Sequence, residues 1–140
     1  VAIMQNQMDM ATAVYTLEYL HVVSGNSTVP TATVRLKKDD EEMQDAACGD
    51  GPVDAALKTI ERITGIQGKL LDFSLQAVTR GKDALGEVSV QVDFGTQTVT
   101  GKGSSTDIVE AGAKAYLNCI NRHISARKPK GKKKTRRKAS

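Results

Sequence analysis

The chain has no tryptophan, only two phenylalanines and three tyrosines in 140 residues, so large rings cannot fill its interior. Apart from Tyr15, Tyr19, Tyr116, Phe73 and Phe94, a core must be assembled from Val, Ile, Leu and Ala. No apolar run approaches the ~20 residues that carry a helix across a bilayer, which excludes a helical membrane span. Cys48 and Cys119 are too few for a disulfide framework and stand at no metal-ligand spacing. They read as free thiols of a cytoplasmic protein. His21 and His123 likewise have no partner at ligand spacing, so nothing in the chain is expected to hold a catalytic metal. The opening VAIMQNQMDM is not a signal peptide and does not begin with Met. It reads as a piece of a longer chain or a processed one.

Acidic residues are absent from the last twenty positions, which hold ten Lys and Arg. The net charge of +4 therefore conceals a split: residues 1–120 carry ten bases against all sixteen acids, a net of −6. A body of this length is one domain, or two small repeats sharing a core. The basic tail, RKPKGKKKTRRKAS, has no aromatic residue on which a base could stack. Like charges in a block repel and stay solvated, so residues 124–140 are expected to be a disordered tail rather than a nucleic-acid-binding element.

Within the body, residues 1–14 read as the end of a linker. VYTLEYLHVVSG places Tyr15, Leu17, Tyr19, His21 and Val23 at period two, the mark of a strand. TATVRLKK alternates Ala32, Val34 and Leu36 against Thr33, Arg35 and Lys37, and EMQDAA is a weaker third strand. A helix follows, with Val53, Ala56, Leu57, Ile60 and Ile63 on one stripe, Pro52 at its first position and Gly65 at its stop. The order then repeats: strand KLLDFSLQAVT, loop GKDALG, strand EVSVQVDF, a turn with the polar edge strand GTQTVTGKG, and a second helix beginning near Ser104. That helix carries Ile108, Gly112, Ala115, Tyr116 and Cys119 on one face, and Ser104 to Asp107 has capping-box spacing. The expected fold is α+β, two pseudo-symmetric βββα units (15–65 and 69–123) sharing a core and packing helices on a common sheet layer. A shift of 53 residues lays Gly51 on Ser104, Pro52 on Ser105 and Asp54 on Asp107.

Both helices start in Gly-rich segments, CGDGP and GKGSST. A helix N-terminus presents unpaired N–H groups and partial positive charge, and so attracts anions. A nucleotide is excluded: no Lys follows the glycines as a Walker motif needs, and the dinucleotide fingerprint lacks its third Gly. Asp54 and Asp107 put a carboxylate in each first turn, which suits a ligand bearing both charges, such as an amino acid. The alternative is two well-capped helices with no ligand.

Taken together, GDGPVDAALKTI, GKDALGEVSVQV and GKGSSTDIVEAGAKAYLNCINR, with PTATVRL, resemble the C-terminal regulatory domain of α-isopropylmalate synthases over about residues 15–123. The resemblance implies a non-catalytic domain that dimerises and binds leucine at the dimer interface. The parent's N-terminal TIM barrel, with its divalent metal, would condense acetyl-CoA with 2-oxoisovalerate in leucine biosynthesis. This fragment itself would need no cofactor. By matching motif, the effector site would use Gly49, Gly51, Val53 and Asp54 at the first helix start. Phe73 and Ala77 would form its wall, Asp83 and Ala84 would come from the GKDALG loop, and Ser105, Thr106, Asp107 and Ile108 from the second start. Citramalate synthase shares the domain and responds to isoleucine, and these motifs do not separate the two; homocitrate synthase is a third relative. A free-standing amino-acid sensor and a purely structural dimerisation module are the remaining alternatives.

Overall fold

A computed structural model describes residues 14–139; the linker end over 1–13 lies outside the described residues. Six strands and two helices follow one another as β1 (Tyr15–Gly25), β2 (Thr28–Lys38), β3 (Glu41–Cys48), α1 (Pro52–Thr64), β4 (Lys69–Arg80), β5 (Asp83–Asp93), β6 (Thr98–Ser105) and α2 (Ile108–Ala139). The βββα repeat is therefore real. Instead of one common sheet layer, however, there are two antiparallel three-stranded sheets, β1-β2-β3 and β4-β5-β6, with the middle strand of each in sequence also central in space. Tight hairpins connect each trio, and antiparallel neighbours need no crossover. The two sheets and two helices enclose one continuous core.

The central strands show why. Ala32, Val34 and Leu36 of β2 and Val88, Val90 and Val92 of β5 are buried, on one face of each pleat, while the intervening Thr, Arg, Ser and Gln residues face outward. Helix α1 buries Ala55, Ala56, Leu57, Thr59 and Ile60; the buried Thr59 hydroxyl donates to Ala55 O (2.7 Å) and lies 3.1 Å from Ala32 O. Gly65 ends α1 at φ 72°, a left-handed conformation that glycine adopts without strain. Helix α2 lies almost against the backbone of β6. A Cβ on Gly101 would stand 2.6 Å from Ala115 O, and one on Gly103 2.5 Å from Ala111 O. The glycines of GKG are thus strand residues that admit a helix, not a turn that cradles a ligand. The GKDALG loop shrinks similarly: only Gly81 and Lys82 turn, and Asp83 onward belongs to β5.

One expectation needs correction. In β1 the pairing slips between Leu17 and Tyr19, so Glu18 is an extra residue. Leu17, Leu20 and Val22 consequently align with Leu36, Val34 and Ala32 on the core face. Tyr19, His21 and Val23 fall on the outer face, where Tyr19 stacks on His21 and lies under Arg35. A bulge inverts every later side chain of its strand, which simple alternation does not anticipate. A matching bulge stands at Leu71 of β4.

Helix α2 continues from Ile108 through Ala139, past residue 124, and Ile124 packs against the core. An apolar contact thus carries the ordered domain beyond 123.

Candidate functional site

The bulges and caps fix how the two units correspond. Glu18 and Leu71 are 53 residues apart, as the sequence shift has it. From the second strand onward the spacing is 56. Leu36 and Val92 hold equivalent places opposite Leu17 and Leu70. Gly51 and Asp107 each accept the first helical bond, from Ala55 and Ala111. The β4–β5 hairpin is therefore three residues longer than β1–β2. Gly49 corresponds to Ser105, Gly51 to Asp107 and Asp54 to Glu110, not to Asp107. The second helix starts at Ile108 with Asp107 as its cap; Ser104 and Ser105 are the end of β6.

Glu110 is a candidate site residue that the sequence reading missed. The signal was present: VDAALK (53–58) and VEAGAK (109–114) are one pattern, Val-acid-Ala-small-x-Lys. In each the acid pairs with the lysine one turn on, Asp54 with Lys58 at 3.2 Å and Glu110 with Lys114 at 3.4 Å.

The two starts are chemically different. At α1 no side chain caps the helix; Gly51 is extended (φ −157°, ψ 177°), and a Cβ there would meet open space. Asp54 accepts a hydrogen bond from Asp50 N–H (2.8 Å), which, with Lys58, holds its carboxyl below the ordinary value. Gly49 donates to Pro30 O (3.0 Å), and a Cβ on it would lie 2.4 Å from Ala55 N and 2.7 Å from Asp54 Oδ2. Its lack of a side chain serves the loop's own packing. At α2 the Asp107 carboxylate caps Val109 N–H at 2.8 Å. Ser105 Oγ accepts from Asp107 N–H (3.1 Å) and donates to Glu110 Oε1 (2.9 Å), a capping box relayed through a hydroxyl. The two ends thus differ in capping: Asp107 occupies a helix N–H of α2, whereas Asp54, in the first turn of α1, bonds the loop N–H of Asp50 and leaves the N–H groups of α1 without a side-chain cap.

Both starts lie at the same end of the molecule. A Cβ on Gly112 would stand 3.7 Å from Val53 Cγ1 and 3.3 Å from Phe73 Cε2. Further along both helices, Tyr116 Oη donates to Glu61 Oε2 at 2.6 Å. Contacts that advance together mean that α1 and α2 run in the same sense. Val53 and Phe73 thereby both approach Gly112, in the second turn of α2. Phe73 lies opposite Val90, Ala77 opposite Gly86, and Gly86 opposite Ser105, so these residues share the core-side face of the second sheet. Ala84, opposite Thr79, lies on that face as well, and Asp83 pairs with Arg80 at the hairpin end. Thr106 and Ile108 flank the α2 cap and are exposed. Beside that cap, Asp107 and Glu110 share a cavity of about 230 Å³ with Leu17, Glu18, Tyr19 and Leu20 of β1. The three extra residues of this hairpin fall between Ala77 and Ala84, which correspond to Ser24 and Thr28 of the first unit.

Along β4 this face is only partly covered, Phe73 packing against the core. Leu75, in line with the fully buried Val88, is 54% exposed, and Leu70, beyond Phe73 at the start of the strand, is exposed too. Among the described residues, β4 pairs on one side only.

These features define a class: a pseudo-symmetric βββα pair with two helix starts gathered at the open end of a sheet. The chain belongs to the LeuA allosteric (dimerisation) domain family, whose profile matches residues 1–124. It is 51% identical over 124 residues to a 2-isopropylmalate synthase of Pelotomaculum thermopropionicum, covering 88% of this chain and 25% of that protein. It is 46% identical over 132 residues to a 2-isopropylmalate synthase of Heliobacterium modesticaldum (94% and 26%). It is 50% identical over 133 residues to one of Carboxydothermus hydrogenoformans (94% and 26%). The chain thus spans about a quarter of the length of these curated relatives.

Proposed function

We propose that this chain is the regulatory domain of a 2-isopropylmalate synthase and binds leucine, the end product of the parent's pathway. The parent, a cytoplasmic acyltransferase, condenses acetyl-CoA with 2-oxoisovalerate on a metal-bearing TIM barrel. This domain contributes feedback inhibition and pairing with a second copy, not catalysis. The observation that carries the reading is the convergence of the α1 start, the α2 start and the open wall of β4 at one end of the fold. The two starts offer complementary charge. The uncapped α1 start, with Gly51 and Val53, suits the ligand's carboxylate, and the carboxylates of Asp54, Asp107 and Glu110 suit its ammonium. Phe73, Ala77 and Ala84 supply an apolar wall for a branched side chain, worth about 25 cal/mol per Å² covered.

The same partly covered strip, Leu70, Phe73, Leu75 and Ala77 on the free edge of β4, is the face on which a second copy packs. An apolar edge strand left open is an aggregation hazard unless a partner covers it. A leucine held there touches both protomers and so changes how the pair sits.

Titration of the chain with leucine, isoleucine, valine and lysine, read by calorimetry and melting temperature, tests the reading. Leucine is expected to bind and to raise stability by about 2.7 kcal/mol at a hundredfold excess over Kd. A response to isoleucine in its place identifies a citramalate synthase domain. No response to any of the four leaves a structural dimerisation module and ends the leucine reading.

A further inference from the structure

Asn121 stands outside the internal repeat. At the 56-residue spacing its counterpart is Gly65, where α1 has already ended. Only the second unit's helix extends far enough to carry such a residue. The side chain is 5% exposed and fully engaged with main chain more than a hundred residues away. Its Oδ1 accepts from Tyr15 N–H at 2.8 Å and from Val14 N–H at 3.1 Å, and its Nδ2 donates to Tyr15 O at 2.9 Å. Val14 and Tyr15 are where the chain arriving from residues 1–13 enters β1. A single amide thus clamps the incoming backbone to the helix whose other end bears Asp107 and Glu110, about 20 Å away at 1.5 Å per residue.

We propose that Asn121 is a positioning residue for regulation. It holds the connecting segment to α2, and so passes the position of α2, set at its N-terminus by the bound amino acid, to the remainder of the enzyme. This rests on the leucine reading above. A helix is stiff over this length, so a displacement at its start is delivered at its fourth turn, where the fold has placed one side chain with both donor and acceptor on the same two residues. The corresponding entry to β4, Gly68, is held differently, its N–H by Glu61 Oε2 at 3.4 Å and its carbonyl 3.5 Å from Tyr116 Oη, so a single neutral amide that both accepts and donates is particular to the entry at Tyr15.

The test uses the full-length synthase carrying this domain, with Asn121→Ala and with Asn121→Asp, which keeps the acceptors and loses the donor. Leucine affinity by calorimetry is expected to stay within about twofold of the parent. The leucine concentration for half-inhibition is expected to rise at least about fivefold, the lower end of ordinary allosteric coupling. Substitution that merely loosens the fold would weaken binding and inhibition together. As a measurement independent of any variant, amide exchange at Val14 and Tyr15 in the unaltered enzyme is expected to change when leucine is added. Unchanged inhibition in a folded variant, or exchange at 14 and 15 indifferent to leucine, overturns the clamp. Absence of leucine binding to the unaltered enzyme overturns the leucine reading itself, and the clamp with it.

Discussion

Gly103 and Gly101 show how much one absent methyl group decides. The Cβ that alanine would add at Gly103 meets Ala111 O, Ala115 N and the Lys114 side chain within 2.7 Å, and the backbone atoms among these cannot swing away. Gly103→Ala is expected to push α2 off β6 and cost about 1–3 kcal/mol, the usual range for overpacking, read as a lower denaturation midpoint with an unchanged slope. Asp54 acts through charge instead. Its carboxyl is held below the ordinary value of 3.8, first by the Asp50 N–H and then by Lys58. A depressed pKa stabilises the folded state above the unfolded pKa and loses that contribution as pH falls through the folded one. Asp54→Ala is therefore expected to cost about 0.5–1 kcal/mol at neutral pH, the range for a partly exposed first-turn carboxylate. The difference in melting temperature between the two proteins should narrow as pH is lowered below 3.8. A constant difference across that range would mean that Asp54 contributes by shape alone.

At the scale of elements, the contact between α1 and α2 is anchored by Tyr116, the largest fully buried side chain. Its hydroxyl donates to Glu61 Oε2 at 2.6 Å and sits 3.5 Å from Gly68 O, while Gly68 N–H reaches the same carboxylate at 3.4 Å. Burial and the neighbouring carboxylate both push the phenol's pKa up, so it remains a donor. Tyr116→Phe keeps the ring and removes that bond, with an expected loss of about 1.5–3 kcal/mol for a hydrogen bond to a charged group, measurable by urea denaturation. None of this pairing is written in local sequence. Strand alternation, the Pro52 start and the Gly65 stop are local rules, and each element they marked exists. The bulges at Glu18 and Leu71 are not local: they are set by register with the neighbouring strand, which is why Tyr19 and His21 were read onto the wrong face. The longer β4–β5 hairpin had the same effect on the site. It displaced the second unit by three residues, so matching Asp to Asp brought Asp54 onto Asp107 and hid Glu110. The VDAALK and VEAGAK pair, weighed above a single shared residue type, resolves it.

For the whole molecule the open face of β4 is the deciding feature. Leu75 lies over Gly86, with its Cδ1 3.5 Å from where a Cβ would stand, yet more than half of it is exposed. If two copies meet there about a two-fold axis, every substitution enters the interface twice. Covering a leucine side chain contributes about 1.5–3 kcal/mol, so losing two weakens dimerisation by about two to four powers of ten. Leu75→Glu adds the cost of bringing a carboxylate to an apolar face. The expected outcome is a monomer by sedimentation at micromolar concentration. Its circular dichroism should match the parent, because the side chain belongs to the strip rather than the core. Leucine binding should be lost with the partner, since the wall formed by Phe73, Ala77 and Ala84 would then open to water. A dimer that persists in Leu75→Glu places the pairing face elsewhere. A monomer that still binds leucine at full affinity keeps the effector site within one protomer, and would confine the role of β4 to assembly.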